Sequence, residues 1–262
     1  MEPTPSMETN PTLELVHSHV SVRAYRPDPL PARLIETVVA AGQCASTSSN
    51  MQVYSVIAVT GQEKRNRLAE LCGSQEQIRQ APVFLAWYAD LARLDHACAL
   101  RGYTQETGYV ENFLVAAVDT SLAAQTAALA AESLGLGICY IGSIRNHPQE
   151  VIDLLEMPRL TFPVTGMTLG WPAGKARVRP RLPLTAVLHL ERDERQNEEQ
   201  DLQQYDREML ATGIYQGRQV PVPGRAGEIE QYSWSEHSAR RVSQALRTEL
   251  RSILEKQGFS LR

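Results

Sequence analysis

Four short clusters of hydroxyl side chains, cations and glycine have the chemistry needed to bind a phosphate together with a polar ring system. The first cluster, His19 to Arg23, holds a hydroxyl at Ser21 and a guanidinium at Arg23. A guanidinium pairs with a phosphate through parallel hydrogen bonds, and a hydroxyl can add another. Serine and arginine two residues apart are common, however, so a solvated turn is the more frequent explanation of this cluster taken alone.

Two further clusters combine hydroxyls or glycine with predicted turns. Ser46 to Gln52 offers hydroxyls and backbone amides as a hydrogen-bonding platform for a polar cofactor. Tyr140 to Ser143 follows a predicted strand, and Gly142 would allow the backbone to approach a ligand closely. The structural alternatives are a plain polar loop for the first of these and a strand-to-helix turn for the second.

The fourth cluster is a basic run two thirds of the way along the chain. Its cations alternate with other residues and are Lys175, Arg177, Arg179 and Arg181. Prolines at 180 and 183 favour an extended segment that aims its side chains individually. A solvated loop is the usual structure of such a run, and nucleic-acid binding is a second general alternative.

The sequence lacks the common signatures of other cofactor and metal sites. No Walker A motif, Rossmann glycine fingerprint or G-x-S-x-G motif occurs. His17 and His19 do not share a helix face, so we expect no metal. A net charge of -4 disfavours a dedicated nucleic-acid binder.

Cysteine usage and the start of the chain indicate where the protein works. The cysteines are scattered, without a C-x-x-C pair, at Cys44, Cys72, Cys98 and Cys139. Reduced thiols in a cytoplasmic protein are the best interpretation of this pattern. Residues 1–10 have no basic segment followed by an apolar block, so we expect a short disordered tail and no signal peptide. The apolar stretches carry too many polar residues to predict a membrane span.

The elements that must position these clusters are short strands interspersed with helices, which predicts an α+β or α/β domain. The predicted strands are Val53–Thr60, Pro82–Tyr88, Ile138–Ile141 and Pro163–Leu169. The predicted helices before residue 75 are Pro11–Ser18, a helix that follows Pro31, and Lys64–Leu71.

The strongest helix prediction is Glu111 to Gly135. This segment is rich in alanine and leucine, contains no proline, and ends at Gly135, which can act as a C-cap. Small apolar residues cover most of its circumference, a pattern typical of a helix buried on several sides. At 1.5 Å per residue it would be roughly 35 Å long. We therefore expect it to form the core of a subunit or a dimer interface.

The chain changes character after Pro180. Residues 192–204 are polar and charged, and residues 213–227 are rich in glycine and proline, which predicts a mobile surface loop. A last helix is expected from Ser233 to Gly258, opened by a capping box between Ser233 and Glu236.

Taken in order, these clusters resemble the nitroreductase family, and within it the group of oxygen-insensitive NADPH nitroreductases and NADPH–flavin oxidoreductases. The stretches that carry the resemblance are His19–Tyr25, Ser46–Gln52, Gly73–Gln75, Ala131–Gly142, Leu169–Pro172, Arg179–Pro183, Trp234–His237 and Lys256–Phe259. Each is modest alone, but their order and spacing along nearly the whole chain are specific.

The resemblance implies an α+β nitroreductase-like fold, with a central, mainly antiparallel sheet flanked by helices. It also implies an interlocked homodimer that binds FMN at the subunit interface. Residues 11–262 would form a single domain, whose C-terminal extension, from about 185 to 262, embraces the partner subunit.

The resemblance also assigns roles to individual residues. His19, Ser21 and Arg23 would hold the FMN phosphate and one side of the ring. Residues that would line the ring or the ribityl chain are Thr47, Ser48, Ser49, Gln52 and Gln75. Residues along the ring edge would be Tyr140, Ile141, Gly142 and Ser143, where a backbone amide can hydrogen-bond the flavin. Arg179 and Arg181 would complete the anion site.

Recognition of the electron donor and acceptor is assigned to other side chains. Arg218 and Arg225 in the loop would contact the 2′-phosphate of NADPH, although solvated loop charges are an equal alternative. Ser49 and Arg247 would contact the electron acceptor. The sequence departs from the family at Val20, where an arginine is usual.

The implied function is transfer of hydride from NADPH, through bound FMN, to nitroaromatics, quinones or free flavin by a ping-pong mechanism. The cofactor supplies the redox chemistry, so no catalytic side chain is expected. One alternative is an NADPH:flavin reductase that supplies reduced FMN to a partner. Another is a non-catalytic flavin-binding protein. A nucleic-acid-binding module that uses the basic run and the arginine-rich last helix is a third.

Overall fold

The computed structural model describes residues 9–222 and 229–262, which form two compact units. One unit contains the described residues up to Ala176 together with Arg247–Arg262. The other runs from Arg177 to Leu246. The first unit holds the β-sheet and the hydrophobic clusters packed around it.

The sheet has four antiparallel strands. They are β1 (Tyr54–Val59), β2 (Val83–Asp90), β3 (Gly137–Ile141) and β4 (Thr161–Gly170), in the spatial order β1-β2-β4-β3. The two central strands are almost entirely buried because other elements cover both faces of the sheet. The predicted α+β class and all four predicted strands are confirmed, with strand ends shifted by at most two residues.

The described residues include ten α-helices. They are α1 (Pro11–His17), α2 (Ala32–Gly42), α3 (Gln62–Leu71), α4 (Glu76–Gln80), α5 (Ala92–Arg101), α6 (Val110–Ser133), α7 (Pro148–Leu154), α8 (Glu198–Ala211), α9 (Trp234–Val242) and α10 (Leu250–Gln257), of which α8 and α9 belong to the second unit. The predictions for α1, α2, α3 and α6 are confirmed. The helices α4, α5, α7 and α8 were not predicted, because they are short or lack a clear apolar stripe.

The long helix α6 packs its small residues on the sheet. Its fully buried alanines are Ala116, Ala123, Ala124, Ala127, Ala128 and Ala131. Most of them contact a cluster that includes Trp87 and Met167 of the sheet. The helix ends before Gly135, which adopts the left-handed φ of +76° expected of a C-cap glycine. By length and composition α6 could also span a membrane, but its alanine face is the packed face of a core helix.

The side of α6 that faces away from the sheet is exposed in this chain. Its outward residues are spaced four apart, so they form one stripe, namely Val110, Leu114, Val118 and Leu122. Each of these side chains is between 43% and 54% exposed. The sequence predicted burial on several sides, and within one chain α6 is buried against both the sheet and α2, while this stripe is exposed.

The predicted last helix is in fact two helices, which corrects the expectation of one continuous segment. The chain leaves helical geometry after Val242 and re-enters it at Leu250. Arg247, between them, has a left-handed φ of +55°. Residues 243–249 have ordinary helix propensities, so the break arises from tertiary contacts and not from a local stop signal.

The capping box predicted at the start of that segment is also wrong. Ser233 occupies the N-cap position, but its hydroxyl donates to the carbonyl oxygen of Asp206 at 2.6 Å. The side chain of Asp206 accepts the backbone N–H of Ser235 at 2.8 Å. A carboxylate on α8 therefore caps α9, and it replaces the local cap that the sequence favoured.

Candidate functional site

The first cluster lies against the edge strand β3. The backbone N–H of Val22 donates to the carbonyl oxygen of Ile138 at 2.8 Å, and Ser21 forms a parallel bridge with the same residue. The fit is close: a Cβ atom at Gly137 would lie 2.6 Å from a methyl group of Val22. Only glycine at that position allows the segment to approach the strand.

Arg23 is exposed at the surface of this segment. Its guanidinium donates to the carbonyl oxygen of Ser21 at 3.3 Å, and within the described residues it has no carboxylate in ion-pair range. Two residues further on, the buried hydroxyl of Tyr25 bonds to Thr168 at 2.7 Å and fixes the segment to β4. An exposed cation on an anchored backbone is suited to binding an anion from solution.

His19 is oriented by a carboxylate. Its Nδ1 lies 2.6 Å from Oε1 of Glu132 near the C-terminal end of α6. That contact leaves Nε2 as the ring nitrogen that can meet a ligand. The other carboxyl oxygen of Glu132 is buried and has no hydrogen-bond partner among the described residues. Such an orphaned acceptor marks a place where a further donor would be accommodated.

The turn at residues 47–52, which we call the hydroxyl turn, has an unusual backbone. Ser49, Asn50 and Gln52 have φ values of 48°, 56° and 52°. This left-handed conformation costs a residue other than glycine about 1–2 kcal/mol. The hydroxyl turn therefore stores strain, and contacts from outside it must hold it in place.

Gln75 and Ser143 come together, as a shared site requires. The side-chain amide of Gln75 donates to the hydroxyl of Ser143 and to the carbonyl oxygen of Cys72, the latter at 3.0 Å. Burial raises the pKa of the Cys72 thiol to about 12, with a hydrogen bond to Ser143 opposing the rise. The thiol is therefore protonated at neutral pH and is not a nucleophile.

The end of β3 offers backbone groups to a ligand. The side chain of Ile141 is buried in the core, so only its main chain can contact a cofactor. The neighbouring Tyr140 hydroxyl donates to Gln125 of α6 at 3.3 Å, and burial raises the pKa of this phenol. Gly142 begins a short 3₁₀ turn, Gly142–Arg145. Because glycine has no side chain, the backbone at the end of the strand is open to a ligand.

Two arginines stand beside this strand end. A Cβ atom at Gly142 would lie 3.6 Å from Nη2 of Arg145, so that guanidinium flanks the glycine. Nε of Arg247 donates to Oδ1 of Asn146 at 3.0 Å. Burial, and then the charge of Arg247, lower the pKa of Arg145. The two cations are thus close enough to repel each other, an arrangement that an anion would relieve.

Three other predicted cations belong to the second unit, namely Arg179, Arg181 and Arg218. The guanidinium of Arg181 donates to the carbonyl oxygens of Arg179 and Pro180, and all are at or near the surface. Arg218 is exposed, and its backbone N–H donates to Tyr215 at 3.0 Å. Arg225 lies outside the described residues.

Two charged residues next to the hydroxyl turn were not predicted as site residues from the sequence. Asp119 is fully buried on α6, and its carboxyl group accepts the backbone N–H of Ser48 at 2.9 Å. Arg93 donates to the carbonyl oxygen of Gln52 at 3.0 Å. The only sequence signal was that Asp119 interrupts an otherwise apolar helix, since a charge at a core position must be paired.

A four-stranded antiparallel sheet with a long central helix defines an α+β protein. Cations and hydroxyls lie beside β3 at one edge of the sheet, and the hydroxyl turn directly precedes β1 at the other edge. Groups of these kinds suit a polar, anionic cofactor. Comparison with known proteins makes this specific. The nitroreductase family profile matches residues 16–171, and the profile of its C-terminal domain matches residues 179–262. The chain belongs to the nitroreductase family.

Individual relatives agree over nearly their full lengths. The chain is 37% identical to an FMN reductase [NAD(P)H] of Bacillus subtilis, covering 96% of this chain and 99% of the relative. It is 34% identical to an oxygen-insensitive NADPH nitroreductase of Salmonella typhimurium, covering 97% and 100%. The solved structure of B. megaterium NfrA2 superposes with a TM-score of 0.89 at 34% identity, covering 97% and 100%. These matches confirm the family inferred from the sequence.

Proposed function

We propose that the protein is an FMN-dependent oxidoreductase that takes hydride from NADPH and reduces small acceptors such as nitroaromatics, quinones or free flavin. The observation that carries this proposal is the joined site at the end of β3. There Gln75 meets Ser143 beside the open backbone of Gly142, in a chain that belongs to this family along its whole length. The names of relatives that reduce FMN or use NADPH support the choice of cofactor and donor.

The residues present suit FMN chemically. Arg23 and Ser21 offer a guanidinium and a hydroxyl to the phosphate, and the hydroxyl turn and the end of β3 offer neutral hydrogen-bonding groups to the ring and ribityl chain. Bound FMN supplies hydride acceptance and donation. The chain binds and orients the cofactor, and no side chain is assigned as an acid or base.

The other predicted site residues have separate roles in this proposal. Arg218 and Arg225 meet the 2′-phosphate of NADPH, and Arg179 and Arg181 complete the phosphate site of FMN. Ser49 and Arg247 contact the acceptor. The donor and the acceptor would bind in turn at one site beside the flavin, which would give ping-pong kinetics.

We also propose that the protein is a homodimer with FMN at its interface. The exposed stripe of α6 supports this, because apolar side chains in one continuous row favour burial against another chain. Spacing along α6 supports it too. His19 contacts Glu132 and Ser48 contacts Asp119, and these two points of α6 are about 20 Å apart along the helix. This distance exceeds the length of the flavin ring alone, which supports a site that the partner's turn completes.

The second unit supports an arm that embraces the partner subunit. Large apolar side chains are exposed along residues 178–190, namely Val178, Leu184, Val187, Leu188 and Leu190. We place this segment on the partner subunit, as part of a C-terminal extension from about residue 185. None of the described cysteines forms a disulfide, which supports a cytoplasmic location.

Arg23→Ala tests the cofactor site directly. We expect the wild-type protein to purify yellow, with about one FMN per subunit. Loss of a charge-assisted hydrogen bond to phosphate costs about 1.5–3 kcal/mol, so the variant should bind FMN at least about tenfold more weakly. Flavin fluorescence titration of the apoprotein measures the Kd. Arg26→Ala, a nearby exposed arginine that pairs with Asp28, is the control and should bind FMN normally.

The absorbance spectrum before and after anaerobic NADPH separates this function from its alternatives. Bleaching of the bound flavin is expected, and a yellow protein that NADPH fails to bleach would be a non-catalytic flavin-binding protein. Turnover rates with nitrofurazone, a quinone and free FMN then distinguish a nitroreductase from a flavin reductase. Rapid turnover of free FMN alone would favour the flavin reductase.

Arg247→Gln tests the acceptor site. Because Arg247 adds to the charge beside Arg145, its loss should lower kcat/KM for the anionic acceptor 4-nitrobenzoate by about tenfold, a typical loss for one charged hydrogen bond. The neutral 4-nitrobenzyl alcohol should be affected much less. Arg251→Gln, at an exposed arginine paired with Glu255 on α10, is the matched control. An equal loss for both acceptors would remove Arg247 from acceptor recognition.

A further inference from the structure

The hydroxyl turn is held from its N–H side by a buried carboxyl group. Asp119, fully buried at the middle of α6, accepts the backbone N–H of Ser48 at 2.9 Å through one oxygen. Its second oxygen lies 3.4 Å from the backbone N–H of Val53, which directly follows the turn. One carboxyl group thus contacts the backbone on both sides of the turn.

The carbonyl side of the same turn is held by a cation. Arg93, in the first turn of α5, donates to the carbonyl oxygens of Gln52 at 3.0 Å and Tyr54 at 3.3 Å. Its other terminal nitrogen bonds to the Ser55 hydroxyl at 2.6 Å and lies 3.3 Å from a carboxyl oxygen of Asp90. These contacts fix the guanidinium in one orientation, so it acts as a rigid donor.

Asp119 and Arg93 both contact the backbone of residues 48–54. Tyr54 is close enough to both charged groups to feel their electrostatic fields. Burial raises the pKa of its phenol, the charge of Arg93 lowers that pKa, and the charge of Asp119 raises it. Between them the backbone takes its left-handed conformations at Ser49, Asn50 and Gln52, which no glycine relieves. Residues in such conformations persist when surrounding contacts over-determine them.

We propose that Asp119 and Arg93 are positioning residues that clamp the hydroxyl turn in the conformation that meets the flavin. This inference rests on the proposed function, since it assigns the turn to FMN. The clamp commits the Ser48 amide to Asp119. In the proposed site the turn contacts the cofactor through the side chains of Thr47, Ser48, Ser49 and Gln52. Neither Asp119 nor Arg93 touches the cofactor.

Asp119→Asn provides the first test. The amide keeps one acceptor but sets an N–H₂ group against a backbone N–H, so one end of the turn is released. We expect the FMN Kd of the apoprotein to rise at least about tenfold and the visible absorption bands of bound flavin to shift. Thr120→Val is the control, because Thr120 is equally buried on α6 but its hydroxyl donates within the helix to Ala116. That variant should lose stability and keep the wild-type Kd and spectrum.

Arg93 provides a second test that does not depend on a buried substitution, because its side chain is 55% exposed. Arg93→Gln should weaken FMN binding and shift the spectrum in the same way as Asp119→Asn. Arg93→Lys keeps the charge but not the forked geometry, and should recover part of the affinity. Arg101→Gln, at an exposed arginine on the same helix, should change neither quantity.

The outcomes separate this inference from the proposed function. If the wild-type protein binds no FMN, the proposed function fails, and the clamp's role fails with it. If the wild type binds FMN but Asp119→Asn and Arg93→Gln keep its Kd and spectrum, the clamp is wrong while the function stands. A loss of affinity in Thr120→Val equal to that in Asp119→Asn would also overturn the clamp, because it would reduce the effect to general destabilisation.

Discussion

Val118→Arg is expected to give a monomer that retains little FMN, in contrast to the flavin-containing homodimer proposed for the wild type. Val118 lies in the middle of the exposed stripe of α6, with Leu114 and Leu122 one turn away on either side. If this stripe meets its counterpart across a two-fold axis, the substitution places an unpaired cation in an apolar interface, and in fact two, one from each chain. An uncompensated buried charge costs about 3–5 kcal/mol, which is more than a hundredfold in the dimerisation constant.

Light scattering at micromolar concentration, together with the ratio of flavin to protein absorbance, measures both parts of this prediction. Leu100→Arg is the matched control, because Leu100 is also an exposed apolar residue but lies on α5 outside the stripe. The control should stay dimeric and yellow. A flavin-loaded dimer of Val118→Arg would exclude the stripe from the interface, and a stable flavin-loaded monomer of the wild type would exclude the dimer.

Arg218→Ala is expected to reduce selectivity for NADPH over NADH. The two donors differ only by the 2′-phosphate, so discrimination must come from a cation that reaches it. Loss of one charged hydrogen bond of about 1.5–3 kcal/mol corresponds to roughly a 10- to 150-fold fall in kcat/KM for NADPH, mainly through KM. Kinetics with NADH should be nearly unchanged.

Hydrogen bonds and ring contacts hold the backbone at Arg218 in place. Its backbone N–H donates to Tyr215, whose ring stacks on His237 at 4.4 Å between centroids. Burial lowers the pKa of His237, so its ring is neutral at neutral pH and Nδ1 can accept from the hydroxyl of Tyr232 at 3.1 Å. That hydroxyl accepts the backbone N–H of Val220 at 2.9 Å. An arginine on an anchored backbone loses less entropy on binding a phosphate.

Steady-state kinetics with both donors provide the measurement. Arg207→Ala, an exposed arginine on α8 of the same unit, is the control and should leave the NADPH/NADH ratio unchanged. The same substitution at Arg225 tests the second cation that the sequence assigns to the 2′-phosphate. If the double variant of Arg218 and Arg225 keeps the wild-type ratio, the assignment is wrong, and Arg179 is the next cation to test.

Short-range rules were enough to predict much of the scaffold. Strands such as Tyr54–Val59 are runs of β-branched and aromatic residues that end near glycine or proline, and both signals act within a few residues. The long helix was equally clear, since its alanine-rich composition and the glycine that ends it are local properties. The order and spacing of short stretches along the chain carried the resemblance to the family, which the family profiles confirm.

Tertiary structure alone decided how the candidate site is supported. The bond from Ser48 to Asp119 joins residues 71 positions apart, and the bond from Gln52 to Arg93 joins residues 41 apart. The cap on α9 comes from Asp206, 29 positions before the Ser235 amide that it accepts. Sequence patterns report the preferences of neighbouring residues. These contacts, in contrast, form only when long loops close, and loop closure costs conformational entropy. The sequence therefore predicted candidate site residues, whereas the charged groups that contact their backbone could be identified only in the fold.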